Sequence, residues 1–101
     1  MDDPIIDLQS DHYFMGEALR QATRAYQAQE VPIGAVVVRE GRIIARAFNQ
    51  VELLKDATAH AEMLALTQAE EAIGEEKKVV NAPHWRRWRE KSKLVTINLN
   101  G

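Results

Sequence analysis

The chain has 101 residues, of which 46% are hydrophobic and 28% are charged, and its formal net charge at pH 7 is −2. This length and composition predict one small globular domain and exclude a disordered or fibrous chain. The slightly acidic balance excludes a nucleic-acid binder that relies on a general excess of positive charge, so any such contact must be local. The sequence contains no cysteine, so it has neither a disulfide framework nor a thiolate to bind a metal.

Residues 1–9 predict an N-terminal tail, because they are acidic, contain Pro4 and lack the basic start and apolar core of a signal peptide. No apolar run approaches the length needed to span a membrane. We therefore expect a cytoplasmic protein with no membrane partner.

A first helix is predicted to start at Ser10 or Asp11, either of which is a good cap. Apolar residues recur through it at helical spacing, with charged and amide side chains on the other face. We expect this apolar stripe to lie in the core. It consists of Phe14, Met15, Ala18, Leu19, Ala22, Ala25 and Tyr26.

Two strands are predicted after the first helix. Pro32 disfavours helical geometry at the residue before it and so ends the helical region. Ile33–Val38 is rich in β-branched residues and predicts a buried strand, and Ile43–Phe48 predicts a second one. The segment Glu40–Arg42 between them is typical of a tight turn, so we expect a hairpin.

Asn49–Asp56 is predicted to be a loop that leads into a second helix, with Thr58 as its cap and Gly74 as its end. His60 and Glu62 fall at the start of this helix. Side chains two positions apart diverge by about 200° in mid-helix, but in the first turn both can border one cavity. There an imidazole can ligate zinc and a carboxylate can move protons. Taken alone, an H-x-E pair is a weak signal that more often means a helix-start histidine beside an exposed glutamate.

Residues 75–93 form a charged insert that contains the segment His84–Arg89, in which Trp85 and Trp88 alternate with cations. Such a segment can stack on bases and neutralise phosphates in RNA. The alternative is a short amphipathic helix with its tryptophans packed on the body of the domain. We favour the second interpretation, because the chain as a whole is acidic.

The last apolar run, Leu94–Leu99, predicts a third strand, reached from the hairpin through a helix. The element order is thus helix, strand, strand, helix, insert, strand. It favours an α/β fold with helices packed on the sheet and with the third strand left at an edge.

Three motifs occur in order between Asp11 and Ile73: E-V-P-I-G-A-V-V at residues 30–37, Asn49, and T-A-H-A-E at residues 58–62. Together they resemble the bacterial tRNA-specific adenosine deaminases, within the zinc-dependent cytidine-deaminase superfamily. The resemblance implies an α/β/α layered fold and the hydrolytic deamination of a flipped adenosine to inosine at the wobble position of tRNA.

The resemblance also implies roles for individual residues. His60 would be a zinc ligand, Glu62 would be the general acid and base, and Asn49 would hydrogen-bond the nucleoside. The residues that would line the nucleoside pocket are Val31, Pro32 and Ile33. Zinc as cofactor, tRNA as partner, a homodimer and no binding to DNA are further expectations from the family.

The sequence departs from the family after its third strand. The family has a P-C-x-x-C segment there, whose thiolates complete the zinc site, whereas this chain has Asn98–Gly101 and no cysteine. We therefore expect residues 10–101 to form a single partial deaminase domain, truncated or diverged after about Gly74. Alone, the chain should be inactive, and marginally stable or prone to associate. A catalytically silent deaminase-like protein and a small RNA-binding module remain alternatives.

Overall fold

A computed structural model of the protein describes residues 11–76 and 92–101. Within these ranges the strands form a sheet with the order β2-β1-β3, and β1 is antiparallel to both of its neighbours. Helix α1 and helix α3 pack on this sheet, which confirms the predicted α/β class. The elements are α1 (Asp11–Gln27), β1 (Ile33–Arg39), β2 (Arg42–Phe48), α2 (Val51–Leu54), α3 (Ala61–Glu76) and β3 (Ser92–Asn98).

Strand β1 is the centre of the fold and carries two separate apolar clusters. Because side chains alternate along a strand, Val36 and Val38 lie on one face of the sheet and pack with Phe14 of α1. Ala35 and Val37 lie on the other face, in a cluster that includes three alanines of α3. The two helices therefore cover opposite faces of the sheet, which gives the expected α/β/α layers.

Gly34 sets how closely α1 approaches the sheet. A Cβ atom added to it would lie 2.2 Å from the carbonyl oxygen of Ala18 and 2.3 Å from the backbone nitrogen of Ala22. Both atoms belong to helix backbone, which cannot move aside as a flexible side chain can. The glycine is therefore required here by packing.

Only part of the apolar stripe of α1 lies in the core. The buried members repeat about every four residues and face the sheet: Phe14, Ala18, Ala22 and Ala25. The prediction was wrong for the members that follow one position later in the helix, because they lie at the margin of the interface between α1 and the sheet. These are Met15, Leu19 and Tyr26, whose side chains are 42%, 40% and 67% exposed.

The hairpin between β1 and β2 is confirmed. Its two loop residues have left-handed backbone conformations, with φ of 53° at Glu40 and 78° at Gly41. Two positive φ values are the property of the hairpin turns whose twist matches that of the strands. The register shifts between Val37 and Val38, which pair with Ala45 and Ile43.

Helix α3 lies close to the sheet because its inner row consists of small residues. Ala61, Ala65 and Ala69 recur every four positions and are fully buried. The prediction that Gly74 ends the helix was wrong, since α3 continues to Glu76. The glutamates that follow the glycine are good helix formers, so nothing local forces an end there.

Strand β3 lies at the edge of the described sheet, as predicted. It pairs with β1 along its whole length, from Ser92 opposite Arg39 to Asn98 opposite Ile33. It is also tied to α1, because the Lys93 ammonium contacts the Asp11 carboxylate and lies 5.4 Å from the ring centroid of Phe14. Most of its side chains remain exposed.

No helix among the described residues is long and apolar enough to cross a membrane. The Trp85–Trp88 segment and most of the charged insert lie outside the described residues.

Candidate active site

His60 and Glu62 lie at the mouth of α3, as predicted. The carbonyl of His60 accepts the first hydrogen bond of the helix, from the Leu64 N–H at 3.0 Å, so this histidine occupies the cap position. Its side chain is exposed, whereas Glu62 in the first turn is half-buried. The Oε1 atom of Glu62 is buried and has no hydrogen-bond partner among the described residues. An oxygen of this kind is costly to bury unless a donor joins it.

The start of α3 is held by a residue from the end of β2. Asn49 is 2% exposed, and its Oδ1 accepts a hydrogen bond of 3.0 Å from the Ala61 N–H. This bond satisfies one of the amides that a helix leaves free in its first turn. Asn49 is fixed in turn by its own N–H, which donates to the Ile33 carbonyl at 3.1 Å.

The prediction that Thr58 caps the helix was wrong, because its hydroxyl is used earlier in the chain. Thr58 Oγ1 and the Thr58 N–H donate to Asp56 Oδ1, at 2.7 and 2.9 Å. The Thr58 hydroxyl, with a smaller contribution from its N–H, lowers the pKa of Asp56 below its usual 3.8. The turn is also joined to the residue that precedes α2, since the Gln50 N–H donates to the Ala59 carbonyl at 2.9 Å.

The predicted loop Asn49–Asp56 is not wholly irregular, because it contains the single-turn helix α2. The carboxylate of Glu30 satisfies the amides at its start: Oε1 accepts from the Glu52 N–H at 3.1 Å and Oε2 from the Leu53 N–H at 2.7 Å. Glu30 itself is 6% exposed. Sequence reasoning missed this residue because its partners are more than twenty positions away.

The three predicted pocket residues divide between two places. Val31 and Pro32 line an open groove, together with Glu30, with residues at and just after the end of α1, and with Asn100. Ile33 instead packs against the alanine cluster under α3. Neither His60, Glu62 nor Asn49 is among the described residues that line this groove.

The residues present do not fit a complete catalytic zinc site. Such sites normally use three protein ligands and keep one position for water. The mouth of α3 supplies one imidazole, and the sequence contains no cysteine. Among the described residues there is no group of three histidine, aspartate or glutamate side chains placed to hold a metal. The Glu62 oxygen that lacks a partner among the described residues is consistent with a carboxylate that would contact a bound molecule. It does not replace the missing zinc ligands.

A family model described as the cytidine and deoxycytidylate deaminase zinc-binding region matches residues 8–85. This range is more than half of the chain and includes the mouth of α3 and every described residue that lines the groove except Asn100. The chain belongs to this family. Zinc is accordingly the cofactor associated with the family.

The chain is similar to proteins named or described as tRNA deaminases. The chain is 60% identical over 57 residues to a tRNA-specific adenosine deaminase of Aquifex aeolicus, which covers 56% of this chain and 38% of the relative. It is 39% identical, with a TM-score of 0.67, to a structure from a study of A-to-I editing by tRNA:A34 deaminases at the wobble position of transfer RNA. That match covers 84% of this chain and 57% of the other.

The same fold also occurs in a deaminase of a free base. The chain is 36% identical to a guanine deaminase of Bacillus subtilis, with a TM-score of 0.60 and coverage of 64% of this chain and 42% of the other. The chain thus spans well under two thirds of the length of the relatives it matches. The fold alone does not select the base on which this member acts.

Proposed function

We propose that the chain carries the nucleoside-recognising and proton-transferring part of a hydrolytic adenosine deaminase that acts at the wobble position of tRNA. In this proposal Glu62 is the general acid and base, His60 is one zinc ligand, and Asn49 contacts the nucleoside. The observation that supports it most directly is the buried Oε1 of Glu62 in the first turn of α3, which has no hydrogen-bond partner among the described residues.

Glu62 is suited to proton transfer by its position. Glu62 is half-buried and lies two positions after the exposed His60, at a helix mouth where a substrate could approach. Deamination requires one group that takes a proton from the attacking water and delivers one to the base, and a positioned carboxylate serves this purpose. The unpartnered oxygen is the natural acceptor for the first of these protons.

Asn49 is suited to orient a ligand because it is rigid. Its carbonyl end is committed to the Ala61 N–H, so a contact with the nucleoside would be made by the Nδ2 amide group. Val31, which is 52% exposed, and Pro32 would form the pocket wall on the side of the groove. Ile33 would support this wall from the core.

The chain by itself is proposed to be catalytically silent, because it supplies one of the three ligands that a catalytic zinc needs. Purified chain should therefore hold less than about a tenth of an equivalent of zinc and form no inosine on an anticodon stem-loop. Stoichiometric zinc together with deamination would reject this part of the proposal.

A chimera tests the assigned residues. Residues 1–74 are joined to the C-terminal part of a family member that carries the P-C-x-x-C segment, which supplies the missing thiolates. The chimera should bind zinc and form inosine, Glu62→Gln should lower the rate by about a hundredfold or more, and His60→Ala should lose the zinc. Glu71→Gln, at an exposed position on α3, is the matched control and should leave both unchanged. Full activity of the Glu62→Gln chimera would reject the assignment.

The substrate and the partners are part of the same proposal. We propose tRNA as the substrate and a homodimer as the active assembly. The chimera should deaminate an anticodon stem-loop far faster than free adenosine or free guanine, and sedimentation should give twice the chain mass. Equal rates on free guanine would favour a base deaminase instead.

A further inference from the structure

Glu30 makes an unusual connection for a carboxylate, because it is 6% exposed and bonds only to main-chain amides in the described region. A buried carboxylate is costly unless it is well hydrogen-bonded. Its two oxygens each accept one N–H, from Glu52 at 3.1 Å and from Leu53 at 2.7 Å. These two hydrogen bonds hold the Glu30 side chain to the first turn of α2.

The connection joins the two halves of the candidate site. On one side, Glu30 is followed directly by Val31 and Pro32, which line the groove. On the other side, α2 begins two residues after Asn49, whose side chain holds the Ala61 N–H at the mouth of α3. Asn49 therefore lies between two fixed contacts: its own side chain bonds to the mouth of α3, and α2, which follows it, bonds to Glu30 beside the groove.

We propose that Glu30 is a positioning residue for the nucleoside site: it fixes the distance between the Val31–Pro32 wall and the Asn49 side chain by holding α2. This inference rests on the proposed function, since it assumes that a nucleoside bridges these two places. Glu30 also borders the groove, but both of its carboxylate oxygens are already bonded to the Glu52 and Leu53 amides, so its proposed role is to position the site and not to bind the nucleoside. It acts through α2 and Asn49. The hydrogen bond from the Asn49 N–H to the Ile33 carbonyl, 3.1 Å long, ties Asn49 to the residue that follows Pro32.

The test uses the full chain and three variants. Glu30→Ala removes both acceptors, Glu30→Gln keeps one carbonyl oxygen, and Glu71→Gln changes an exposed glutamate on the far part of α3. Two properties are measured below the unfolding transition of every variant. They are the amide hydrogen exchange of Glu52, Leu53 and Ala61, and the affinity for an adenosine-containing anticodon stem-loop.

We expect Glu30→Ala to accelerate exchange of the Glu52, Leu53 and Ala61 amides and to weaken RNA binding by about tenfold. Glu30→Gln should give an intermediate loss, and Glu71→Gln should match the wild type within about twofold. Acceleration at Ala61 is the decisive readout, because a residue that merely holds α2 would not alter an amide at the start of α3.

Two results would overturn the inference. One is faster exchange at Glu52 and Leu53 with no change at Ala61, and the other is unchanged RNA affinity in Glu30→Ala when the wild type binds. If the wild-type chain does not bind the RNA, tRNA recognition by this chain alone fails while the chimera still tests the proposed activity, and the Ala61 exchange in Glu30→Ala then decides whether Glu30 positions the mouth of α3.

Discussion

The side chain of Asn49 accepts a hydrogen bond of 3.0 Å from the backbone N–H of Ala61, and this contact joins the end of β2 to the first turn of α3. It places the helix mouth, with His60 and Glu62, at a fixed position relative to the sheet. Asn49, to which the resemblance assigns substrate recognition, therefore also has a structural role. Replacing it should affect stability as well as binding.

Asn49→Ala should lower the free energy of unfolding by about 1–3 kcal/mol, because it leaves the buried Ala61 amide without its acceptor. Asn49→Asp keeps an oxygen at that place and should cost less. Denaturant unfolding followed by circular dichroism measures both, and Asn100→Ala at an exposed position serves as control. Equal losses for the alanine and aspartate variants would mean that this hydrogen bond contributes little.

Gly34→Ala should destabilise the protein by about 3 kcal/mol, since the new methyl group would overlap the backbone of α1 and force the helix off the sheet. Gly16→Ala is the matched control. Gly16 lies within α1, and nothing lies within 4 Å of a Cβ atom added there. There the alanine should stabilise by up to about 1 kcal/mol through its better helix propensity. Thermal unfolding of the two variants should therefore shift in opposite directions, and a tolerated alanine at Gly34 would contradict the close approach.

Thr58→Val should raise the pKa of Asp56 toward its usual 3.8, because the hydroxyl that favours the ionised carboxylate is gone. A folded-state pKa below the unfolded value gives stability that is present above about pH 4 and is lost as the pH falls through the lowered pKa. The wild type should thus exceed the variant in stability near neutral pH, and the difference should shrink in acid. NMR titration of the Asp56 carboxyl measures the pKa, with Thr67→Val as control. An unchanged Asp56 pKa would show that the hydroxyl does not set it.

The outer edge of β3 predicts concentration-dependent association, because no strand among the described residues pairs with it and Leu94 is 40% exposed. Sedimentation velocity should show species larger than a monomer at about 10–100 μM. Leu94→Lys should reduce them, since a charge on an edge strand opposes pairing. Leu53→Lys, at another exposed leucine, should not. A monomer across the whole range would contradict this prediction.

The Trp85–Trp88 segment lies outside the described residues, so RNA binding by this segment stays an alternative from the sequence alone. If it binds RNA, replacing both tryptophans with alanine should abolish binding while His60→Ala has no effect. The opposite pattern would favour the helix mouth as the place of contact.

Local patterns in the sequence were sufficient for every long element of the described residues and for placing His60 and Glu62 at a helix start. The apolar spacing predicted α1 and α3, the β-branched runs predicted the three strands, and Glu40–Gly41 predicted the hairpin turn. These features depend on residues a few positions apart, and the chain itself keeps such residues together. The pair His60 and Glu62 fell at a helix start for the same reason.

Tertiary structure alone decided what holds that site. Thr58 was the natural local cap, yet the amide at the start of α3 is satisfied by Asn49, twelve positions away. Glu30 and α2 are joined across more than twenty positions. A backbone amide accepts whichever partner the fold brings within reach, so neither contact could be identified from neighbouring residues. The sequence by itself placed His60 and Glu62 together at a helix mouth, and only the fold determined that Asn49 and Glu30 fix that mouth to the sheet.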